Sequence, residues 1–299
     1  RLLKWCQSFG QLLKAGIEGT GTYGAGLSRF MVSNNISVYE VNRPNRARRR
    51  LRGKSDPTDA ENAARAVLAD EAKAVPKTQN GSVEAMRFLL IARRSAIKSR
   101  TQAINQIRAI LVTAPDSIRK QYLVASTRAC IEACNNIEKL GNSTLLDMLT
   151  VSLKLLAKRW LDLTGELKIL DRNLKRLTLS TAPLLTQELG IGPYVAATLL
   201  VTAGDNPERL KKESSFAALC GVSPIEASSG KVVRHRLNRS GSRVANNALW
   251  TITLIRMRSD PRTRQYVDRR TKEGRSNKEI QRCLKRYIAR ELYPKILYD

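Results

Sequence analysis

Histidine is nearly absent: His235 stands alone among 299 residues. One imidazole cannot build a zinc finger, a two-histidine metal centre or a phosphotyrosyl enzyme relying on several histidines. Any metal is therefore held by carboxylates, which select a hard cation such as Mg²⁺. Acids are scarce too, with 26 Asp and Glu against 53 Lys and Arg, a formal net charge of +27 and a pI near 10.5. That imbalance points to a polyanionic partner, nucleic acid first, because neutralised phosphates release counterions. A membrane surface is the other common polyanion, but no long apolar run exists to accompany the basic residues. The five cysteines form no CxxC pair, so buried thiols in a reducing cytosol fit them, with Cys130 and Cys134 spaced to share a helix face. No signal peptide is visible, and the chain opens on Arg1 rather than Met.

What the chain does contain is ordered. A short helix around Leu2, Leu3 and Trp5 runs into a strand near Lys14–Ile17, which ends at Glu18 where EGTGTYG begins. A helix from Tyr23 to about Ser33 and a strand over Ile36–Val41 complete a β-α-β unit at the edge of a parallel sheet. Gly19, Gly21 and Gly24 satisfy the GxGxxG dinucleotide pattern, yet the preceding strand is very short and the chain strongly basic, so we read the match as fortuitous.

Seven cations fall in residues 42–54 without one acid, among them Arg46, Arg48, Arg49, Arg50, Arg52 and Lys54. Such a run repels itself and suits a polyanion. It leads into SDPTDAE, where Pro57 marks the first helical position, making Asp56 the N-cap and Asp59 an N3 residue. Both aspartates can simply serve the helix terminus. The i, i+3 spacing equally puts both carboxylates on one face, at the side of the sheet where Glu18 ends its strand, as a Mg²⁺ site would need.

A helix is expected from Val83 to Ala114, and Leu153, Leu156, Trp160, Leu163, Leu167, Leu170, Leu174 and Leu177 make an alternating 3, 4 seam that predicts a coiled coil. It can pair with the first helix or with another protomer. LGIGP at 189–193 followed by an apolar helix looks like a helix-hairpin-helix, in which Gly190 and Gly192 would offer backbone N–H groups to a phosphate. An ordinary packed helix pair has the same pattern. In the segment GVSPIEASSGKVVRHRLNRSG, Ser228 and Ser229 precede a glycine, with Lys231, Arg234, Arg236 and Arg239 close behind and no acid until Asp260. A hydroxyl in a turn among cations is what attack on a phosphodiester requires, although Ser-Ser-Gly is also common turn chemistry. Ser276 with Glu279 predicts a capping box for a last helix.

Taken together, EGTGTYG, VYEVNRPNR and GKSDPTDAENAARAVL, then LGIGPYVAATLL and the serine segment, resemble the DEDD-type bacterial insertion-sequence transposases. These are the bridge-RNA-guided recombinases of insertion sequence family 110, and the resemblance covers essentially the whole chain. It implies an α/β plus mainly α protein with a partial RNase H-like (resolvase-like) domain at 1–80, a helical coiled-coil stalk at 81–182, and a helical transposase domain with helix-hairpin-helix at 183–299. Glu18, Asp56 and Asp59 match the second, third and fourth acids of the family's tetrad; the first would lie upstream of Arg1. Ser229 matches the catalytic serine, with Ser228 the adjacent alternative. The resemblance further implies Mg²⁺, donor and target DNA, a structured guide RNA, a homo-oligomer through the coiled coil, and a bacterial cytoplasmic protein near the nucleoid. A metal-dependent junction nuclease, or a non-catalytic nucleic-acid-binding remnant, are the competing readings.

Overall fold

The computed structural model describes residues 1–41, 55–232 and 235–297. In chain order, α1 (Leu2–Gln7) leads to β1 (Lys14–Ile17), α2 (Ala25–Ser33), β2 (Ser37–Glu40) and α3 (Asp56–Leu68). Then come α4 (Ser82–Thr113), α5 (Asp116–Tyr122), α6 (Thr127–Asn135) and α7 (Thr144–Thr181). The last part holds α8 (Pro183–Thr186), α9 (Pro193–Ala203) and α10 (Glu213–Leu219). A strand pair, β3 (Ile225–Glu226) and β4 (His235–Arg236), precedes α11 (Arg243–Ser259), α12 (Pro261–Lys272) and α13 (Asn277–Leu297). None of the described helices is long and apolar enough to cross a membrane.

The chain divides into two compact units. The first gathers Arg1–Glu84, Leu200–Asn246 and Arg282–Tyr298. Its β1 and β2 pair in parallel, Lys14 against Ser37 through Ile17 against Glu40, as the β-α-β pattern predicts. The apolar face of this sheet and α2 closes over Ile17, Met31, Ile36 and Val38. Gly16 lets α3 approach the sheet: a Cβ there would sit 2.6 Å from the Ala63 carbonyl oxygen. Elsewhere in this unit α13 grips α10, through Arg286 to the Glu213 carboxylate and the Tyr293 hydroxyl to the Leu210 carbonyl.

The second unit, Ala85–Leu199 with Asn247–Gln281, is helical. Arg93 on α4 donates to Asp171 on α7 at 2.6 Å, and the Arg100 guanidinium lies 5.4 Å from the Trp160 ring centre. Further on, Ile107 and Leu111 share a core with Leu153 and Ala157. Numbers rise along α4 as their partners fall along α7, so the two helices run antiparallel. Cys130 and Cys134, on one face of α6, are fully buried in the same core, and burial pushes the Cys134 thiol up to about 12.

Candidate active site

Lys14 pairs with Asp70 at 3.8 Å, and Gly16 meets Ala63 and Val67, so α3 runs antiparallel to β1. That direction carries the first turn of α3, with Asp56 and Asp59, toward the strand end occupied by Glu18. The capping assignment changes, however. Ser55, not Asp56, is the N-cap, its hydroxyl accepting from the Thr58 N–H, and Asp56 and Pro57 are the first two helical residues. Proline is tolerated at either place because neither N–H has an intrahelical partner. With the cap supplied by serine, Asp56 points from an exposed position and Asp59 from a half-buried one.

Glu18 lies just past β1 in a tight turn, in which Gly24 N–H and Thr22 N–H both donate to the Gly19 carbonyl. A Cβ on Gly24 would lie 2.4 Å from the Glu18 carbonyl oxygen, so only glycine fits. The Glu18 Oε1 atom is buried with no hydrogen-bond partner among the described residues. A buried, unpartnered carboxylate oxygen is costly unless a cation or donor meets it. Three carboxylates are a donor set that fits Mg²⁺. Among the described residues, though, no three His, Cys, Asp or Glu side chains gather closely enough to hold a metal ion by themselves.

The serine segment is a hairpin rather than a plain loop. Ile225 pairs with Arg236, Glu226 with His235, and Ser229 with Val232 through reciprocal N–H to carbonyl bonds of 3.1 Å. These three pairs lie in one register, leaving Gly230 and Lys231 as a two-residue turn, with Gly230 at φ +56° supplying the left-handed residue such turns need. Ser228 and Ser229 are both exposed.

The stem of this hairpin is locked. Gly221 (φ +66°) and Gly241 (φ +88°) touch: a Cβ on Gly241 would be 2.6 Å from the Gly221 nitrogen, and Ser242 N–H donates to the Leu219 carbonyl at 2.7 Å. Asn246 donates to the Cys220 and Gly221 carbonyls at 3.0 and 3.1 Å and accepts from Lys285 at 2.8 Å. Burial, then the nearby Arg282, lowers the Lys285 pKa. Burial also pushes the Cys220 thiol up to about 12.

In the other unit, the turn before α9 carries Gly190 at φ +90°, packed against Ile252 and Ile255, whereas nothing lies within 4 Å of a Cβ on Gly192. Arg256, almost fully buried, donates to the Leu189 carbonyl and to Glu188, both at 3.0 Å. Lys231, Arg236 and Arg239 are exposed, as a phosphate-binding role needs. Arg46, Arg48, Arg49, Arg50, Arg52, Lys54 and Arg234 lie outside the described residues.

Two family models match in order along the chain. Residues 1–114 match a DEDD transposase model, and residues 182–268 match the model described as "Transposase IS116/IS110/IS902 family". The chain belongs to the IS110 transposase family. Among curated relatives, the "Insertion element IS110 uncharacterized 43.6 kDa protein" of Streptomyces coelicolor is 32% identical over 97 residues, 32% of this chain and 24% of that protein. The "Putative transposase y4pF/y4sB" of Sinorhizobium fredii is 29% identical over 203 residues, 66% of this chain and 50% of that protein. Its matched parts thus span at most half the length of these relatives.

Three supporting residues carry no signal in the sequence. Arg256 reads as one more surface cation until Glu188 and the Leu189 carbonyl are seen around it. Asn246 and Lys285 carry no motif. The one available signal for the stem was the glycine pair bounding the segment, Gly221 and Gly241.

Proposed function

We propose that this chain is the recombining portion of an insertion-sequence transposase that cuts and rejoins DNA through a phosphoserine link. The observation that carries the reading is the ordered match of two transposase models to the segments holding Glu18, Asp56 and Asp59, and Ser229. The Ser229 Oγ attacks a DNA phosphorus; the Oγ–P bond forms, a P–O bond to deoxyribose breaks, and the released oxygen takes up a proton. Bond energy is kept in the ester, so a second DNA hydroxyl reverses the step and rejoins the strands. Ser229 is preferred over Ser228 because reciprocal backbone bonds to Val232 hold it at the turn, beside the exposed Lys231. Glu18, Asp56 and Asp59 would hold Mg²⁺, which supplies charge neutralisation at the phosphate and the leaving oxygen.

Exposed cations on the hairpin, with the arginine-rich stretch at 42–54, bind phosphate backbone, while a structured guide RNA selects sequence by pairing. The turn at Gly190–Gly192 takes a phosphate in helix-hairpin-helix fashion. Because the α7 seam leucines Leu153, Leu167 and Leu174 are buried within one chain, copies of the chain join beside the DNA in the bacterial cytoplasm through the outer face of α7, which bears Leu155 and Ile169. The divisions 1–80, 81–182 and 183–299 are the functional segments of this scheme: RNase H-like, stalk and transposase.

Trapping on nicked suicide DNA substrates tests the proposal. A covalent adduct formed with Mg²⁺, kept in Ser228→Ala and lost in Ser229→Ala, is expected. Cleavage without an adduct would replace this reading with a metal-dependent nuclease.

A further inference from the structure

Beside β2 the first unit contains a cavity of about 590 Å³, between α2 and the segment at 75–80. The sheet does not fill this space: the segment joins β2 at a single bridge, Glu40 with Ala74, and then diverges. Among the described residues, no aspartate or glutamate lines the cavity, while Arg29 and Lys77 do. The remaining polar lining combines the carboxamides of Asn35, Gln79, Asn80 and Asn206 with hydroxyl residues. Two hydroxyl residues in the wall, Thr20 and Ser28, are only 3% and 6% exposed.

The wall is built in advance of any ligand. Asn206 donates to the Pro76 carbonyl at 3.0 Å and accepts from the Thr78 N–H at 3.2 Å, fixing the backbone on either side of Lys77. Backbone strain is concentrated here too. Of the three non-glycine residues with positive φ among those described, two line this cavity: Asn35 at +61° and Gln79 at +55°. Left-handed residues other than glycine are uncommon and recur at ligand sites, where the surrounding structure holds them.

We infer that this cavity takes a single nucleotide, its base edge met by the carboxamides of Asn35, Gln79 and Asn80 and its phosphate by Arg29. Carboxamides offer the paired donor and acceptor that base edges present, and a wall without acids suits an anionic sugar-phosphate. The volume falls within the range of small-ligand sites and admits an unstacked nucleotide. The inference rests on the nucleic-acid reading above only for the source of the nucleotide: an RNA strand, a DNA strand or a free mononucleotide.

The test needs no catalysis, so its outcome is separate from that of Ser229 chemistry. Short single strands of RNA and of DNA, each with one 4-thiopyrimidine, are bound to the full 299-residue chain, irradiated, and the crosslinked peptides mapped. Crosslinks are expected within 25–39 or 75–80. In the double variant Asn35→Gly, Gln79→Gly, both glycines accept the existing φ, so the helical spectrum and melting midpoint stay put while yield at those peptides falls about tenfold. Overall affinity, carried by the rest of the charge, is expected to change less than about threefold. Crosslinks to RNA alone, to DNA alone, or suppressed by a millimolar mononucleotide assign the source. Crosslinks confined to other segments, or a yield unchanged in the double glycine variant, would overturn the inference.

Discussion

Arg256→Met removes the cation that holds the glycine turn before α9 while leaving an unbranched apolar side chain in its place. The Arg256 side chain is 8% exposed and that of Glu188 22%, so the substitution takes the arginine away from a largely buried carboxylate. Breaking a fully buried pair in this way costs about 3–5 kcal/mol. Glu188 retains some access to water and can turn outward, which lowers the figure, while the Leu189 carbonyl loses its donor, which raises it by about 1 kcal/mol. The expected net loss is about 2–4 kcal/mol. Glu188→Gln, which keeps a polar acceptor opposite Arg256, is expected to cost about 1–2 kcal/mol, and the double variant less than the sum by about 1–2 kcal/mol, because the two residues act on each other. Urea unfolding followed by circular dichroism measures all three. Amide exchange at Ile191, whose N–H donates to the Glu188 carbonyl at 3.0 Å, reports on the turn itself. A loss below about 0.5 kcal/mol for Arg256→Met, or strict additivity in the cycle, would refute the view that this arginine is a structural clamp.

Three further outcomes are expected. Gly190→Ala forces a left-handed φ on alanine against Ile252 and should cost about 1–2 kcal/mol, whereas Gly192→Ala should leave the unfolding midpoint in place but weaken DNA binding if its open face receives a phosphate; filter binding and urea titration separate the two. Asp260 caps α12 through the Thr263 hydroxyl and N–H, and these bonds lower its pKa, so its stabilisation is present above the ordinary carboxylate range and is lost as pH falls through the lowered value. Asp260→Ala should cost about 1 kcal/mol at neutral pH and progressively less in acid, a trend read from melting midpoints against pH. With maleimide at pH 8, the half-exposed Cys6 and Cys283 should label in the folded chain and the buried Cys130, Cys134 and Cys220 only on unfolding, as counted by mass spectrometry.

Local patterns with a single physical reading survived intact from sequence to structure. The β-α-β alternation gave the parallel pair, and Ser276 with Glu279 forms its reciprocal cap, with side-chain to backbone bonds in both directions. Where two residues competed for one role, the sequence left the choice open or favoured the wrong one. Ser55 and Asp56 are both good N-caps, and the Ser55 hydroxyl reaches Thr58 N–H first. Long-range partners were left open or hidden. The spacing of the α7 leucines allowed either the first long helix or another protomer, and only the packed core lays α4 of the same chain along them, while nothing around Lys285 announces Asn246. The hairpin at Ser229 was concealed by its composition, since serine, glycine and lysine advertise a loop, and only the reciprocal bonds between Ser229 and Val232 turn that loop into a ladder.

The contact between Gly221 and Gly241 has a topological effect. The polypeptide enters and leaves the serine hairpin through the same point, so the residues between form a cassette whose ends are fixed irrespective of what it contains. Lengthening the cassette adds only the slowly growing entropy of a larger ring, because the join itself is made by the stem. New chain termini placed at its tip, between Gly230 and Lys231, would leave both anchors in position. The segment can therefore diverge in length and sequence while helices on either side keep their packing.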